Sequence, residues 1–290
     1  MAAQQIKKVC YFTVLRMILL HPSLYRPLFS YLFTVIRYFF FPQYETMLLR
    51  RRRVVNVDHE LDVLIPYRPQ YAGIYLSFIH MWIKSLQFMY TEFGGKSIPY
   101  IADFFRQLGF LYREAYAVYR VCQSTTRRPK KISSWRVLLI HLADPHLHCV
   151  PSLHVLVVCF TWIKMRDFLL QEKSGNYHKT LDALYEEALV IIETIIYMKQ
   201  HSLNCIAAGL FVFSRLFPHC GFSAEKFCSE LFTRLEKPSC KNEVTAAMVS
   251  TYQKLDSAYK YYTSCGCGDY KTVLLDFLTE KPKHNIFINS

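Results

Sequence analysis

Long apolar runs, each interrupted by a few charges, constrain this chain more than any other feature of its sequence. A membrane-spanning helix needs about 20 largely apolar residues, and several runs approach or reach that length. They lie at positions 23–41, 72–90, 99–119, 150–165, 180–198 and 204–217. We therefore predict an all-α fold, a transmembrane helical bundle of about six spans with a polar C-terminal helical tail.

The charges inside these runs bear on how the helices are arranged. The run at 99–119 carries Asp103, Arg106, Arg113 and Glu114. A charge near the centre of a bilayer costs at least about 2.5 kcal/mol on insertion scales. Such helices are tolerated where they face one another around a polar cavity, as an intramembrane active site requires. A soluble all-helical protein with buried apolar helices is the alternative.

Hydropathy divides the chain into three parts. Residues 1–60 hold the first apolar helix or helices and a basic loop with the run "LLRRRR", which ends at Arg53. Residues 61–217 hold most of the apolar runs and are predicted to form the membrane core. Residues 218–290 mix polar and apolar positions at helical spacing, which predicts a tail of amphipathic helices.

The net charge of +13 indicates an acidic partner, such as nucleic acid, a phosphate group or an anionic membrane surface. The chain has no nucleic-acid-binding motif, and its aromatic residues fall within apolar runs instead of alternating with Lys and Arg. Glycine is scarce, with 9 residues, which argues against a Gly-rich nucleotide loop. We expect a membrane and a phosphate-bearing substrate as partners, and no nucleic acid.

Two histidines lie at matching ends of predicted helices. His154 follows Pro151 and Ser152 at the start of one apolar run, and His201 lies in the break between the next two. Because one helix runs out and the next returns, the two histidines should meet at one end of the bundle. Helix amino termini favour anions through their free N–H groups, and Pro151 suits the first turn of such a helix.

Cations accompany the two histidines. The basic stretch "RRPKK" at 127–131 lies between the third and fourth runs, and Lys199 is two residues before His201. Transfer of a phosphoryl group needs a nucleophile, an acid for the leaving oxygen and cations for the other oxygens. The pattern therefore indicates phosphate chemistry.

Three motifs in this order resemble those of the type 2 phosphatidic acid phosphatase superfamily, membrane lipid phosphatases related in fold to vanadium haloperoxidases. They are "RRP" at 127–129, "PSLH" at 151–154 and "KQHSLNCIAAG" at 199–209. The segment "DVLIPYRPQYAGIYLSF" at 62–78 also resembles the approach to the second span in bacterial members. The resemblance covers about 62–217. It implies a bacterial inner-membrane enzyme that removes phosphate from a lipid phosphate or isoprenyl pyrophosphate, without cofactor or metal.

The resemblance also implies roles for individual residues. His201 matches the nucleophile, which takes the phosphoryl group as a phosphohistidine, and His154 matches the acid that protonates the leaving alcohol. The phosphate-binding positions are Ser152, Arg127, Arg128 and Lys199.

The motifs depart from the family pattern in ways that bear on activity. The aspartate that orients the nucleophilic imidazole is replaced by Cys205, and Asn204 or Glu193 are possible substitutes. Val121 and Ile195 stand where the family carries a lysine and an arginine. These departures favour an alternative: a catalytically inactive descendant, or a lipid phosphotransferase, that binds anionic lipid.

The cysteines and the remaining histidines give no clear metal pattern. Ten cysteines form no CxxC pair. His141, His146 and His148 could join His154 around a metal ion, but Asp144 is the one acidic residue that accompanies them. We expect no metal.

Overall fold

The computed structural model describes residues 6, 8–49, 52–172 and 175–283, and most of these are helical. The helices of the first half are α1 (Tyr11–Leu20), α2 (Tyr25–Val35), α3 (Phe41–Leu49), α4 (Ala72–Phe93), α5 (Ile98–Tyr119) and α6 (Trp135–Ala143). Those of the second half are α7 (Leu153–Gln171), α8 (His178–Tyr197), α9 (Leu203–Leu216), α10 (Ala224–Glu230), α11 (Lys241–Ser264) and α12 (Tyr270–Thr279). Two short strands, β1 (Arg53–Asn56) and β2 (Cys122–Thr125), complete the fold. Arg50 and Arg51 of the predicted basic loop lie outside the described residues.

Helices α7 and α9 form the centre of the core. Helix α7 packs against α4, α5, α8 and α9, and the residues of its first two turns are buried on all sides. Nearly all of α9 is buried as well, from Leu203 to Ser214. A helix that is apolar all round must be covered by other helices or by lipid, and here protein covers it.

Gly209 allows α9 to approach α7 closely. A Cβ atom at this position would lie 2.9 Å from the Cβ of Val155 and 3.3 Å from the carbonyl oxygen of Ser152. Because real Cβ contacts are longer than this, any larger residue would push the two helices apart. Glycine is therefore required by packing at this crossing.

The prediction of a six-span transmembrane bundle is wrong. Within the described part of the chain, every helix is either too short or too polar to cross a membrane. Helix α9 is apolar but has only 14 residues. Helix α5 has 22 residues, but its Glu114 pairs with Lys271 at 2.9 Å and its Asp103 lies 3.9 Å from Lys164. The runs that form α7 and α9 are covered by neighbouring helices.

The C-terminal segment does not project as a tail, which is a second correction to the predicted fold class. Helix α11 packs along α9, and α12 packs against α5 and α9. Val244, Met248 and Leu274 are fully buried and belong to the same core as α7 and α9. The backbone N–H of Asn56 donates to the carbonyl of Pro282 at 2.9 Å, which ties the end of α12 to β1.

The strand pair was not predicted, and it organises the site. β1 and β2 pair in parallel, with Val55 opposite Ser124. On its other side, the N–H of Ser124 donates to the carbonyl of Leu147 and its carbonyl accepts from the N–H of Cys149, both at 3.1 Å. The Ser124 hydroxyl accepts from the N–H of Val150 at 2.8 Å. These bonds hold the loop before α7 beside the segment that continues into Arg127 and Arg128.

We expect Gly209→Ala to lower the free energy of unfolding by about 1–3 kcal/mol, because the added methyl group overpacks the contact between α7 and α9. The measurement is urea unfolding followed by circular dichroism. Gly95→Ala is the matched control, since nothing lies within 4 Å of a Cβ atom there. Equal stability of the two variants would mean that the helix crossing adjusts without cost.

Candidate active site

The predicted histidine pair meets at the amino-terminal ends of α7 and α9. His154 is the second residue of α7, and His201 lies in the turn between α8 and α9. Their rings are 5.4 Å apart between centroids, and Nδ1 of His154 lies 3.3 Å from Nε2 of His201. The rings of Tyr75 and Phe78 pack on His154, at 4.8 Å and 4.5 Å.

Burial keeps both histidines uncharged near neutral pH. It lowers the pKa of His154 to about 4. It also lowers the pKa of His201 well below its usual value, and the nearby His154 adds to this effect. The backbone carbonyl of Cys149 opposes the shift in His201. Each neutral imidazole has one N–H and one lone pair, so one of the two nitrogens in contact donates its proton and the other accepts with its lone pair.

The two ring nitrogens of His201 lie in different surroundings. Nε2 is the atom that faces Nδ1 of His154. Nδ1 is buried and forms no hydrogen bond with any residue the structure describes.

The turn that carries His201 is held by the segment before α4. The Ser202 hydroxyl accepts from the N–H of Asn204 at 3.2 Å and from the N–H of His59 at 3.0 Å. The Asp62 carboxylate accepts from the N–H of Leu203 at 3.0 Å. These bonds satisfy free N–H groups of the first turn of α9 and fix where His201 lies.

A pocket of about 830 Å³ lies on the His201 side of the pair. Its lining holds more cations than acidic residues, and we call it the basic pocket; the cations are Arg127, Arg128, Lys199 and Lys283, and the acidic residues are Asp58, Glu60 and Asp62. Arg128 donates to the carbonyl of Asp144 at 3.1 Å. Lys199 donates to the carbonyl of Asp62. Burial lowers the pKa of both Arg128 and Lys199, which means that an anion in the pocket would relieve a desolvation cost. Arg127 is largely exposed at the pocket edge.

Ser152, the predicted phosphate donor, is fully buried immediately before α7. It occupies the N-cap position but does not cap the helix with its side chain. Its hydroxyl has no hydrogen-bond partner among the described residues. A buried hydroxyl without a partner is costly, and an oxygen of a bound ligand would satisfy it.

An apolar cavity of about 380 Å³ lies on the other side of the pair. His154 and Asp144 line its inner end. The rest of its wall is mainly aromatic and aliphatic and includes Tyr31, Phe39, Phe78, Trp82, Tyr112, Leu139 and Leu153. The histidine pair therefore lies between a basic pocket and an apolar cavity.

The residues proposed to replace the missing aspartate are engaged elsewhere. The Asn204 amide donates to the carbonyl of Val57 at 3.1 Å. The Glu193 carboxylate accepts from the N–H groups of Thr233 and Leu235, both at 3.2 Å. Cys205 is buried next to Cys149. Among the described residues, none of these three side chains hydrogen bonds to His201.

Two acidic residues near the pair were not given a role from the sequence. Asp62 caps α9, as described above. The Asp144 carboxylate accepts from the N–H of His146 at 2.8 Å, and burial raises its pKa although that bond and Arg128 oppose the change. Asp62 is 141 residues from Leu203, so the sequence gives no local signal for this contact, although Asp62 begins the segment "DVLIPYRPQYAGIYLSF" that resembles bacterial members of the superfamily.

The other histidines of the loop before α7 are held by side chains. His146 hydrogen bonds to the Thr126 hydroxyl at 2.7 Å. His148 lies 3.1 Å from the Gln123 amide and stacks on Tyr119 with ring centroids 4.0 Å apart. Within the described ranges, no group of three or more His, Cys, Asp or Glu side chains is arranged to hold a metal ion. These histidines position the loop.

Comparisons with known proteins add nothing to this site. No protein-family model, no curated protein and no solved structure matches the chain. The resemblance to the phosphatase superfamily therefore rests on the motifs and on where their residues lie.

We expect the contribution of His154 to stability to fall as the pH is lowered. The unfolded histidine binds its proton below a pKa of about 6.5, whereas the folded one resists it down to a pKa of about 4. Linkage then predicts that the free energy of unfolding falls between pH 7 and pH 5 by about 2 kcal/mol more in the wild type than in His154→Asn. Urea unfolding of both proteins at each pH measures this difference. Parallel pH profiles would mean that His154 is accessible to protons in the folded protein.

Proposed function

We propose that the protein is a phosphatase that uses His201 as the nucleophile and His154 as the proton donor. The observation that supports this most directly is the contact between the two imidazoles at the join of a basic pocket and an apolar cavity. A basic pocket suits a phosphate group, and an apolar cavity suits a hydrocarbon chain. A lipid phosphate or an isoprenyl pyrophosphate carries both.

The reaction would take place in two steps. The phosphate enters between the two rings, so Nε2 of His201 loses its contact with Nδ1 of His154 and attacks phosphorus. The bond from phosphorus to the ester oxygen breaks, and the leaving oxygen takes a proton from the His154 imidazolium. A water molecule then attacks the phosphohistidine, His154 accepts a proton from that water, and inorganic phosphate leaves with His201 restored. Arg128 and Lys199, which line the same pocket as His201, would hold the remaining phosphate oxygens together with the Ser152 hydroxyl.

The bound phosphate itself would prepare His154 as an acid. In the free protein burial keeps the pKa of His154 at about 4, so the ring is neutral at pH 7. A doubly charged phosphate a few ångströms away favours the charged imidazolium and raises this pKa towards neutrality. Proton donation is then available only when substrate is present. The two converging helix amino termini add N–H groups that favour the same anion.

Binding of an anionic lipid without turnover is the second candidate function. It is favoured by the surroundings of His201, whose Nδ1 has no hydrogen bond to a carboxylate among the described residues and whose ring has the Cys149 carbonyl nearby. A carbonyl supports the imidazolium formed during catalysis less strongly than a carboxylate would. Transfer of the phosphoryl group to an alcohol in place of water is a variant of the first candidate.

We expect wild type to release phosphate from phosphatidate or undecaprenyl pyrophosphate in detergent without added metal. His201→Ala should lower the rate at least about a thousand-fold, because it removes the nucleophile. His219→Ala, which changes an exposed histidine away from the pair, is the control. Substrate binding without release by the wild type would favour the second candidate. Equal rates for all three proteins would place the chemistry elsewhere.

The apolar cavity predicts a preference for long hydrocarbon chains. Ala143 lines this cavity, so Ala143→Phe should lower kcat/KM for a long-chain lipid phosphate roughly ten-fold by filling it. The rate on p-nitrophenyl phosphate, which has no chain, should change little. Leu142→Phe is the control, since the neighbouring residue points outwards and is 64% exposed. Equal losses on both substrates would mean that the cavity does not hold the chain.

A further inference from the structure

Two helices carry apolar stripes on their outer faces. On α2 and the π-helical turn that follows it, the stripe consists of Phe29, Phe33 and Ile36. On α6 it consists of Trp135, Leu138 and Leu142. All six side chains are exposed, and within each helix they recur at the three- and four-residue spacing of a single helical face. We call these six residues the α2–α6 surface.

The two helices that carry the stripes both line the apolar cavity. Leu32 of α2, Ile79 of α4 and Leu139 of α6 line the cavity and are also 41–46% exposed. The cavity therefore opens onto the α2–α6 surface. Helices α1 and α3 lie next to this region. The Tyr11 hydroxyl of α1 meets the His80 ring of α4 at 2.8 Å, and the Tyr44 hydroxyl of α3 donates to the carbonyl of Leu142 of α6 at 2.7 Å.

The charges around this surface have one sign. The sequence has no Asp or Glu between positions 1 and 44 or between 115 and 143, the segments that contain α1, α2 and α6. Both stripes carry exposed arginines, which are Arg26 and Arg37 on α2 and its extension, and Arg136 on α6. In the part of the chain that the structure describes, none of these three forms an ion pair. Arg136 lies over the Trp135 ring, 4.8 Å from its centroid.

We propose that the α2–α6 surface docks onto an anionic phospholipid bilayer, with its apolar side chains in the interfacial region and its arginines among the headgroups. Helices that lie in the interface in this way carry apolar residues on one face and Lys or Arg beside them. Soluble monomers rarely expose so large a continuous apolar region without a partner for it. The docking does not require any helix to cross the membrane.

The charge pattern favours a bilayer over a second copy of the chain. In a two-fold dimer the same surface meets itself, so the arginines of one copy would approach those of the other. Without acidic residues in the neighbouring segments, such an interface would hold uncompensated positive charge. Anionic headgroups supply the missing negative charge.

Docking in this orientation would place the cavity mouth against the hydrocarbon of the membrane. A lipid chain could then pass from the leaflet towards His154 without crossing water. This consequence rests on the proposed phosphatase function, whereas the docking itself rests only on the surface.

The test is co-sedimentation of the full chain with vesicles, either of phosphatidylcholine alone or of phosphatidylcholine mixed with phosphatidylglycerol. We expect the wild type to bind the mixed vesicles more tightly, and added salt to weaken binding. The variant with both Phe33→Asp and Leu142→Asp should bind at least about ten-fold more weakly. The control carries Leu170→Asp and Tyr261→Asp, which change side chains of matched exposure away from the surface. Phe33 and Leu142 are 65% and 64% exposed, and the control residues Leu170 and Tyr261 are 60% and 66% exposed.

Several outcomes would overturn the proposal. They are failure of the wild type to sediment with mixed vesicles, equal binding to both vesicle types, and equal losses in both variants. The alternative of a dimer is tested by analytical ultracentrifugation, which measures the oligomeric state. If the wild type is a dimer and only the Phe33→Asp and Leu142→Asp variant is a monomer, a second copy of the chain covers the surface. Because none of these readouts uses phosphate release, an inactive protein that binds vesicles would leave the docking intact.

Discussion

The close packing of α9 against α7 at Gly209 is the contact on which the rest of the site depends. The two helices begin at the same end of the bundle, so their first turns lie side by side with His154 and His201 in contact. A side chain at Gly209 would meet Val155 and separate them. Two helix amino termini converge there, which creates an anion-favouring end in an otherwise apolar core.

A small element of backbone pairing brings the cations to this end. β2 pairs with β1 on one side and with the loop before α7 on the other, so the segment leading to Arg127 and Arg128 is held against that loop. The structure thereby joins three regions of the chain that lie far apart in sequence. This arrangement costs desolvation energy, because burial disfavours the charged forms of Arg128, Lys199 and both histidines.

That desolvation is the physical link between the fold and the proposed chemistry. A neutral His201 has a lone pair to give, and a neutral His154 becomes an acid only when an anion raises its pKa. The Ser152 hydroxyl, which has no partner among the described residues, adds a donor. Under the proposed function an anion completes this site, and the apolar cavity beside it suits an anion that carries a hydrocarbon chain.

The sequence located the histidines and cations but misjudged what surrounds the helices. His154 and His201 could be placed at helix ends because the apolar runs begin and stop there, and antiparallel helices bring such ends together. The same runs led to the wrong prediction of membrane spans. A count of apolar residues is the same whether other helices or lipid cover them.

By itself, the sequence of this protein located the helices α4, α5, α7, α8 and α9 and the histidines at the ends of α7 and α9, because apolar periodicity and helix breakers are local signals, whereas α6 was not predicted. The tertiary structure decided what covers α7 and α9, that Asp62 caps α9, and that Cys149, not Asn204 or Glu193, faces the His201 ring. It also decided that the apolar stripes of α2 and α6 face outwards. These features depend on contacts between residues far apart in the chain, and the free energy of burial and hydrogen bonding at such contacts is set only when the helices pack.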